Sequence, residues 1–345
     1  MGQVHSHAAR AAGAILAGVT SSSRASSERV VGALGFEKAY DCVGDLLADG
    51  AIDVVHVVTP NTTHLDFALA AIQAGKHVVC EKPLAISTAD ATRLAAAAAA
   101  AGVTATVPFV YRFHPMVREA RARVRAGETG RLLSIQGSYL QDWLLAPSDD
   151  NWRVDEKLGG PSRAFADIGS HLCDLTEFVT GDRISRVQAL KRTVFDQRAT
   201  SRGITTEDLV AVLLETRSGA IGTLLVSEVA PGRKNRLHLE ISGSAESIGF
   251  DQEDPETLWL GRRTGSQLLR RNQEELSADA VRLSLLPPGH PLGYQDAFNA
   301  FVADSYAAVA GEAPEGLPTF DDGLRAVRLT DAVLESARSG DWIET

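Results

Sequence analysis

The first 107 residues alternate short apolar runs with helix-like stretches, and each of these stretches ends at a glycine. The apolar runs predict strands at residues 15–19, 53–58, 77–80 and 103–107. The intervening stretches end near Gly13, Gly35, Gly75 and Gly102, which suit a left-handed cap. Strands that are apolar throughout are typical of a sheet buried on both faces. The alternation therefore predicts an α/β, Rossmann-type parallel sheet domain over residues 1–110.

After about residue 130 the pattern changes to longer alternating runs with few helices between them. These runs predict strands at residues 132–142, 187–194, 208–215, 220–229, 236–242 and 247–250. Helices are predicted at 167–180, 294–310 and 321–338, and loops at 149–163 and 265–290. We therefore expect an α+β domain over residues 111–345 with a large open, mainly antiparallel sheet, for substrate binding and oligomer contacts. Its C-terminal helix is expected to pack back towards the first domain.

Charge and composition exclude several classes of protein. A net charge of −10 opposes binding to a polyanion such as nucleic acid. No apolar stretch approaches the roughly 18 residues of a membrane helix, and the first residues lack the layout of a signal peptide. The cysteines, Cys42, Cys80 and Cys173, form no CxxC pair, which favours reduced thiols and a cytoplasmic location.

A dinucleotide-binding fold usually opens with a strand and a GxGxxG turn, and neither is seen here. Either the protein lacks that turn or the sequence starts inside it, with Gly2 as its last glycine. We favour the second interpretation, because the strands would otherwise flank an empty central slot with two unpaired edges. Gly2 and Gln3 are then predicted to contact the cofactor. His5 and His7 do not share a helical face, and no role is assigned to them.

Three short motifs follow predicted strands or open a predicted helix. Thr59-Pro60-Asn61 and Glu81-Lys82-Pro83 come after consecutive parallel strands, where open α/β sheets bind ligands. Lys82 could stabilise an alkoxide, or it could be a solvated lysine paired with Glu81, just as the first motif could be a plain turn.

Asp167 and His171 are spaced to share a helical face, as a general base and its orienting carboxylate or as a surface ion pair. Adding Asp174 would make a metal face, which the absence of cysteine and of an HExxH motif disfavours.

Four segments together resemble the Gfo/Idh/MocA oxidoreductase family: VVTPNTTH (57–64), AGKHVVCEKPLA (74–85), YRFHP (111–115) and ADIGSHLCDL (166–175). The resemblance implies a hydride transfer between a bound NAD or NADP and a secondary hydroxyl of a sugar or inositol. It implies Lys82, Asp167 and His171 as catalytic residues. It implies cofactor contacts by Thr59, Pro60, Asn61, His64, Glu81, Lys82 and Arg112. It also implies a homodimer or homotetramer formed through the open sheet.

Further motifs are similar to a branch of sugar oxidoreductases within that family. YLQDW (139–143), NWR (151–153) and GYQDAF (293–298) nominate the substrate-side residues Tyr111, Trp143, Trp152, Arg153 and Tyr294, beside Asp167 and His171. After residues 15–19 come Ser21, Ser22 and Arg24 with no acid to bind a ribose 2′-hydroxyl, which leans towards NADP. The alternatives are an NAD-dependent glycosidase that uses transient oxidation, and a regulator that senses cofactor or sugar without turnover.

Overall fold

A computed structural model of the chain describes residues 1–345, which form two compact units. Unit 1 comprises Met1–Val110 and Tyr294–Leu324, and unit 2 comprises Tyr111–Gly293 and Arg325–Thr345. The division after Val110 lies at the expected boundary, but residues 294–324 group with unit 1, whereas the sequence placed them in the second domain. The reason is local packing: the ring of Phe298 lies 4.8 Å from that of His5, and Gln295 Nε2 donates to the Val4 carbonyl.

The helices and strands are numbered in chain order. The helices are α1 (Gly2–Ala11), α2 (Arg24–Leu34), α3 (Val43–Ala48), α4 (His64–Gln73), α5 (Thr88–Ala101), α6 (Pro115–Arg125), α7 (Glu156–Gly159), α8 (Ser170–Thr180), α9 (Ala278–Leu283), α10 (Tyr294–Val309) and α11 (Phe320–Ser339). The strands are β1 (Gly18–Val19), β2 (Lys38–Ala39), β3 (Val54–Val57), β4 (His77–Cys80), β5 (Ala105–Thr106), β6 (Leu132–Leu140), β7 (Ile184–Arg192), β8 (Leu209–Thr216), β9 (Ile221–Ser227), β10 (Arg236–Gly243), β11 (Ser247–Asp251), β12 (Thr257–Arg262), β13 (Gly265–Arg270) and β14 (Ile343–Glu344).

Side-chain caps and glycines define the helices of unit 1. Ser23 and Ser87 accept hydrogen bonds from backbone N–H groups in the first turns of α2 and α5. Both helices end at glycines in the left-handed conformation, Gly35 with φ 68° and Gly102 with φ 63°. This confirms the predicted helix ends, because a glycine pays no Cβ penalty at that backbone angle.

The strands of unit 1 are all parallel and form two separate sheets, β1–β2 and β3–β4–β5. Val57 of β3 pairs with Cys80 of β4. Thr59 and Lys82 each follow that pair by two residues, so the two chains turn at the same edge of the sheet. Strand β2 was not predicted, because Lys38–Ala39 carries no apolar run.

Unit 2 is built on a nine-stranded sheet in the order β13-β12-β11-β10-β6-β9-β8-β7-β14. The β6–β9 pair is parallel and the other pairs are antiparallel, which confirms the predicted mainly antiparallel sheet. Helix α8 packs on β6 and β10, and α6 packs on β11 and β12. Leucines of β7, β8 and β9 are exposed, namely Leu190, Leu213 and Leu225.

Two predicted loops contain regular structure. Residues 265–290 include β13 and α9, and strand β12 before them was also missed. In β13 a single residue, Leu269, is buried, so the strand shows no alternation that its sequence could reveal. Residues 149–163 include a 3-10 turn, Trp152–Val154, and the single-turn helix α7. None of the helices combines the length and the hydropathy that a membrane-spanning segment needs.

Candidate active site

The edge of the unit 1 sheet gathers the two predicted turns. His64, which is fully buried, lies between them: Nδ1 is 2.8 Å from the Pro83 carbonyl oxygen and Nε2 is 2.9 Å from that of Thr59. Burial lowers the pKa of His64, and the two carbonyls oppose that shift. His64 was predicted as a cofactor contact; in the structure its ring holds the turn after β3 against the turn after β4.

Glu81 and His5 hold the turn that carries Lys82. Glu81 Oε2 accepts the backbone N–H of Lys82 at 3.2 Å, and its Oε1 lies 3.0 Å from His5 Nε2. Both Glu81 and His5 are buried, and Lys82 is partly exposed. The sequence assigned no role to His5, which was wrong: its ring bonds to a carboxylate 76 residues away.

The residues predicted to hold the dinucleotide fit such a ligand. Helix α1 begins at Gly2 without a side-chain cap, and apart from its chain neighbours and the backbone of its own helix no heavy atom lies within 4 Å of the place a Cβ on Gly2 would occupy. An open helix start of this kind presents backbone N–H groups to a pyrophosphate. Thr59 and Asn61 add polar side chains at the carboxyl end of β3, a usual place for ribose and nicotinamide contacts in parallel sheets.

The predicted 2′-phosphate region lies after β1. Ser21 donates its backbone N–H to Ser27 Oγ, and Ser22 is exposed. Arg24 is half-exposed and binds the carboxylates of Glu28 at 2.8 Å and Asp41 at 3.0 Å. These are surface ion pairs in water, so the guanidinium can exchange either partner for a phosphate at small cost.

In unit 2, Asp167 and His171 do not lie on one regular α-helix. Residues Phe165–Gly169 form a π-helical turn, which runs directly into α8. The four-residue spacing assumed α-helical geometry, and the wider π turn changes which residues share a face. Asp167 lies with its Oδ2 3.7 Å from Arg153 Nε, and the Arg153 guanidinium stacks on Trp152 at 4.5 Å.

His171 is buried among aromatic rings. It is 7% exposed, and the ring of Tyr111 meets it edge-on with centroids 5.1 Å apart. The ring of Tyr139 lies 6.4 Å away. Such surroundings restrict water around the imidazole and orient its ring.

A carboxylate that the sequence did not nominate holds the π turn in place. Glu207 Oε1 accepts hydrogen bonds from Ser162 Oγ at 2.7 Å, from Arg163 N at 3.0 Å and from Phe165 N at 3.0 Å. The Asp167 N–H in turn donates to the Arg163 carbonyl at 2.8 Å. Glu207 is fully buried. Its only signal in the sequence was the acidic pair Glu207-Asp208, placed directly before an apolar strand.

Buried charges continue from that carboxylate. Arg163 pairs with Asp208, and its Nε lies 3.2 Å from Glu228 Oε2. Arg198 pairs with Asp208 at 2.7 Å. Burial and then the negative charge of Asp167 raise the pKa of Glu228 well above its usual value, with Arg163 opposing. Glu228 therefore holds its proton to a higher pH than a solvent-exposed glutamic acid does.

A ring of hydrogen bonds adjoins Tyr111. Tyr139 OH and Gln141 Nε2 both donate to Asn235 Oδ1, at 2.8 and 2.7 Å. Asn235 Nδ2 donates to Tyr111 OH at 3.2 Å, and the Tyr111 and Tyr139 hydroxyls bond to each other. Trp143 Nε1 donates to Gln141 Oε1 at 2.8 Å. Tyr111 and Trp143 were predicted from the sequence, whereas Tyr139, Gln141 and Asn235 were not. The last two adjoin the paired ends of β6 and β10, where Leu140 lies opposite Arg236.

Two other predicted residues have partners that suggest structural roles. The Arg112 guanidinium binds both oxygens of Asp174 and stacks over Phe178 at 4.9 Å. Arg112 was predicted as a cofactor contact and Asp174 was considered as a metal ligand, and here the two side chains bind each other. Tyr294 opens α10 in unit 1 with its ring 6.0 Å from that of Phe298.

Comparison with known proteins places both parts of the chain. Residues 1–109 match the model of an oxidoreductase family with an NAD-binding Rossmann fold, and residues 117–249 match that of the GFO/IDH/MocA C-terminal domain.

Individual relatives span almost the whole chain. Levoglucosan dehydrogenase of Pseudarthrobacter phenanthrenivorans is 29% identical over 90% of this chain and 84% of its own. A D-xylose 1-dehydrogenase (NADP(+)) of Haloferax volcanii is 33% identical over 95% of this chain and 91% of its own. A solved structure of levoglucosan dehydrogenase with NADH and levoglucosan is 28% identical, covers 100% of this chain and 97% of its own, and has a TM-score of 0.93. The chain therefore belongs to the Gfo/Idh/MocA family of NAD-binding oxidoreductases.

Proposed function

We propose that this oxidoreductase acts on a secondary hydroxyl of a sugar or cyclic polyol, with Lys82, Asp167 and His171 as its catalytic group. The observation that carries the proposal is the buried His171, bordered by Tyr111 and Tyr139 and carried by the helix that follows the Asp167 turn. The names of relatives that act on levoglucosan, xylose and inositol support the substrate class.

Each residue has a chemical role in this proposal. The nicotinamide cofactor, when bound, exchanges the hydride with the substrate carbon. His171 removes the proton of the hydroxyl group through its imidazole, which suits proton transfer near neutral pH. The Lys82 ammonium stabilises the developing alkoxide. Asp167, paired with Arg153, orients the substrate or the imidazole.

The hydroxyl and amide groups around Tyr111 suit a polyol. Tyr111, Trp143, Trp152 and Arg153 supply aromatic faces and donors for a ring bearing hydroxyl groups, and Tyr294 is the substrate-side candidate of unit 1. A buried site of paired donors and acceptors also discriminates against analogues that lack a hydroxyl, because their binding would leave polar groups unsatisfied.

For the cofactor, we propose contacts by Gly2, Gln3, Ser21, Ser22, Arg24, Thr59, Pro60, Asn61, His64, Glu81, Lys82 and Arg112. Arg24 and the neighbouring serines lean towards NADP, while NAD remains a competent cofactor. Relatives named with NADH and with NADP(+) support both possibilities. Initial rates with each cofactor measure the preference, and a KM for NADP above that for NAD would contradict the lean.

We also propose that copies of the chain associate through the open face of the unit 2 sheet. The exposed Leu190, Leu213 and Leu225 support a homodimer or homotetramer, because monomers rarely expose such a patch. Light scattering of the purified protein measures the mass directly.

The widely spaced cysteines, none of which is disulfide-bonded, support a cytoplasmic location.

The decisive experiment is a panel of sugars and inositols with NAD and NADP, run on the unaltered protein and on His171→Ala and Lys82→Met variants. We expect turnover with at least one polyol and at least a 100-fold loss of kcat in each variant. His290→Ala, an exposed histidine of unit 2, is the matched control. A His171→Ala variant that keeps more than half its turnover refutes the assignment. Release of an aglycone without net cofactor reduction would indicate the glycosidase, and absence of turnover over the whole panel would indicate a sensor.

A further inference from the structure

Four polar side chains of unit 1 form a continuous chain of hydrogen bonds. They come from four elements: His5 from α1, His56 from β3, Glu81 from the end of β4 and Tyr306 from α10. Glu81 Oε1 lies 3.0 Å from His5 Nε2, His5 Nδ1 lies 2.8 Å from His56 Nδ1, and His56 Nε2 lies 2.9 Å from Tyr306 OH. None of His5, His56 and Tyr306 takes part in the proposed reaction.

The chemistry of the four groups permits one arrangement of protons when the carboxylate is ionised and the rings are neutral. A carboxylate accepts and cannot donate, so His5 must carry its proton on Nε2. His5 Nδ1 is then an acceptor, and His56 must donate to it from Nδ1. His56 Nε2 accepts in turn, so the Tyr306 hydroxyl donates. Every bond therefore runs in the same direction, from Tyr306 to Glu81.

The surroundings favour these protonation states. Burial, followed by the proximity of His5, lowers the pKa of His56 well below its usual value, which keeps that ring neutral near pH 7. Burial raises the pKa of Tyr306 to about 12, so its hydroxyl keeps its proton. The edge-on contacts of His5 with His56, of His5 with Phe298 and of His56 with Tyr306 hold the rings in these orientations.

We propose that His5, His56 and Tyr306 are positioning residues that act through Glu81 on the turn carrying Lys82. Glu81 Oε1 accepts the last hydrogen bond of this series, from His5, while Oε2 accepts the Lys82 backbone N–H. One carboxylate therefore connects the hydrogen-bond series to the turn. The inference rests on the proposed role of Lys82 for its effect on turnover. The direction of the hydrogen bonds, from Tyr306 to Glu81, does not depend on that role.

Nuclear magnetic resonance of the full-length protein labelled with [15N]histidine tests the chain directly at pH 7. We expect His5 as the Nε2–H tautomer and His56 as the less common Nδ1–H tautomer. Tyr306→Phe removes the terminal donor, which leaves His56 Nε2 without its bond, and we expect the His56 signal to change. Observation of His56 as the Nε2–H tautomer in the unaltered protein would overturn the proposal.

Steady-state kinetics with a substrate from the polyol panel tests the consequence. The loss of one buried hydrogen bond from the chain predicts a 3- to 10-fold lower kcat in Tyr306→Phe, with KM changed less than about 2-fold. The matched control is Tyr40→Phe, which removes a buried tyrosine hydroxyl of unit 1 that donates to Asp49 at 2.7 Å. Equal kcat values for Tyr306→Phe and Tyr40→Phe would overturn the positioning role.

A conservative pair of variants separates positioning from packing. The side-chain amide of His56→Asn can still donate to His5 from near the Nδ1 position, whereas His56→Leu cannot. We expect His56→Asn to keep the His5 tautomer and at least three times the kcat of His56→Leu. Equal losses in both variants contradict the proposal. If Lys82→Met retains turnover while the tautomers are as expected, the proposed catalytic role of Lys82 is wrong, and the direction of the hydrogen bonds from Tyr306 to Glu81 is still supported.

Discussion

Replacing Glu207 tests whether one buried carboxylate holds the turn of Asp167. Glu207→Ala leaves two backbone N–H groups and the Ser162 hydroxyl without their acceptor. A buried unsatisfied group costs about 1–3 kcal/mol, so three of them predict a loss of about 3–9 kcal/mol in the free energy of unfolding. That is a large share of the roughly 5–15 kcal/mol of an ordinary domain. Glu207→Gln keeps an acceptor but loses the charge, which predicts a loss of about 1 kcal/mol per bond, or about 3 kcal/mol.

Chemical denaturation followed by tryptophan fluorescence reports on the correct unit, because Trp143, Trp152, Trp259 and Trp342 all belong to unit 2. Hydrogen exchange of the Phe165 amide gives a local measure and should accelerate in both variants. Turnover should fall as well, since the turn orients Asp167. Glu215→Ala is the control: it removes a partly exposed ion pair with Arg186 on the same sheet and should cost less than about 1 kcal/mol. Stability of Glu207→Ala within about 1 kcal/mol of the unaltered protein would refute the reasoning.

Three further predictions follow from the same structure. Glu228→Gln should remove one pH-dependent contribution to the free energy of unfolding, because burial raises the pKa of the Glu228 carboxyl in the folded state. Its raised pKa means that the folded state holds a proton that the unfolded state releases, so the contribution of this group to stability falls as pH rises above about 4.5. The free energy of unfolding of the variant minus that of the unaltered protein should therefore increase between pH 6 and pH 8, and a difference that shrinks contradicts the prediction. Burial lowers the pKa of His56 and His64, so the unfolded state binds more protons below about pH 6.5, and stability should fall there by up to about 1.4 kcal/mol per pH unit for each ring. Circular dichroism denaturation of Glu228→Gln, which lacks the opposing contribution of Glu228, measures this at pH 5 and 7, and equal stability at both would contradict it. Asn235→Ala removes the hydrogen bonds that Asn235 makes with Tyr139, Gln141 and Tyr111, and it should raise the KM for the polyol about 10-fold with a smaller change in kcat. Initial rates measure both constants, and an unchanged KM would show that Asn235 does not contribute to substrate binding.

The local sequence determined four of the five strands of unit 1 and the place of its turns, and it missed β2. Short strands of apolar residues, helices ended by Gly35 and Gly102, and polar residues directly after β3 and β4 all depend on neighbours along the chain. The same local signals predicted six strands of the unit 2 sheet, β6 to β11. They failed for β13, whose exposed residues carry no alternation.

Tertiary structure decided which side chains surround the candidate catalytic residues. His56 meets Tyr306 across 250 positions, Tyr111 meets Asn235 across 124, and Glu207 meets Phe165 across 42. The π turn under Asp167 likewise depends on Glu207 and could not be derived from a spacing of four. Periodicity encodes which face of an element is buried, because burial follows from each residue's own polarity. The partner of a buried polar group is selected only when distant segments pack, because its hydrogen bond must be satisfied by whatever that packing brings within reach.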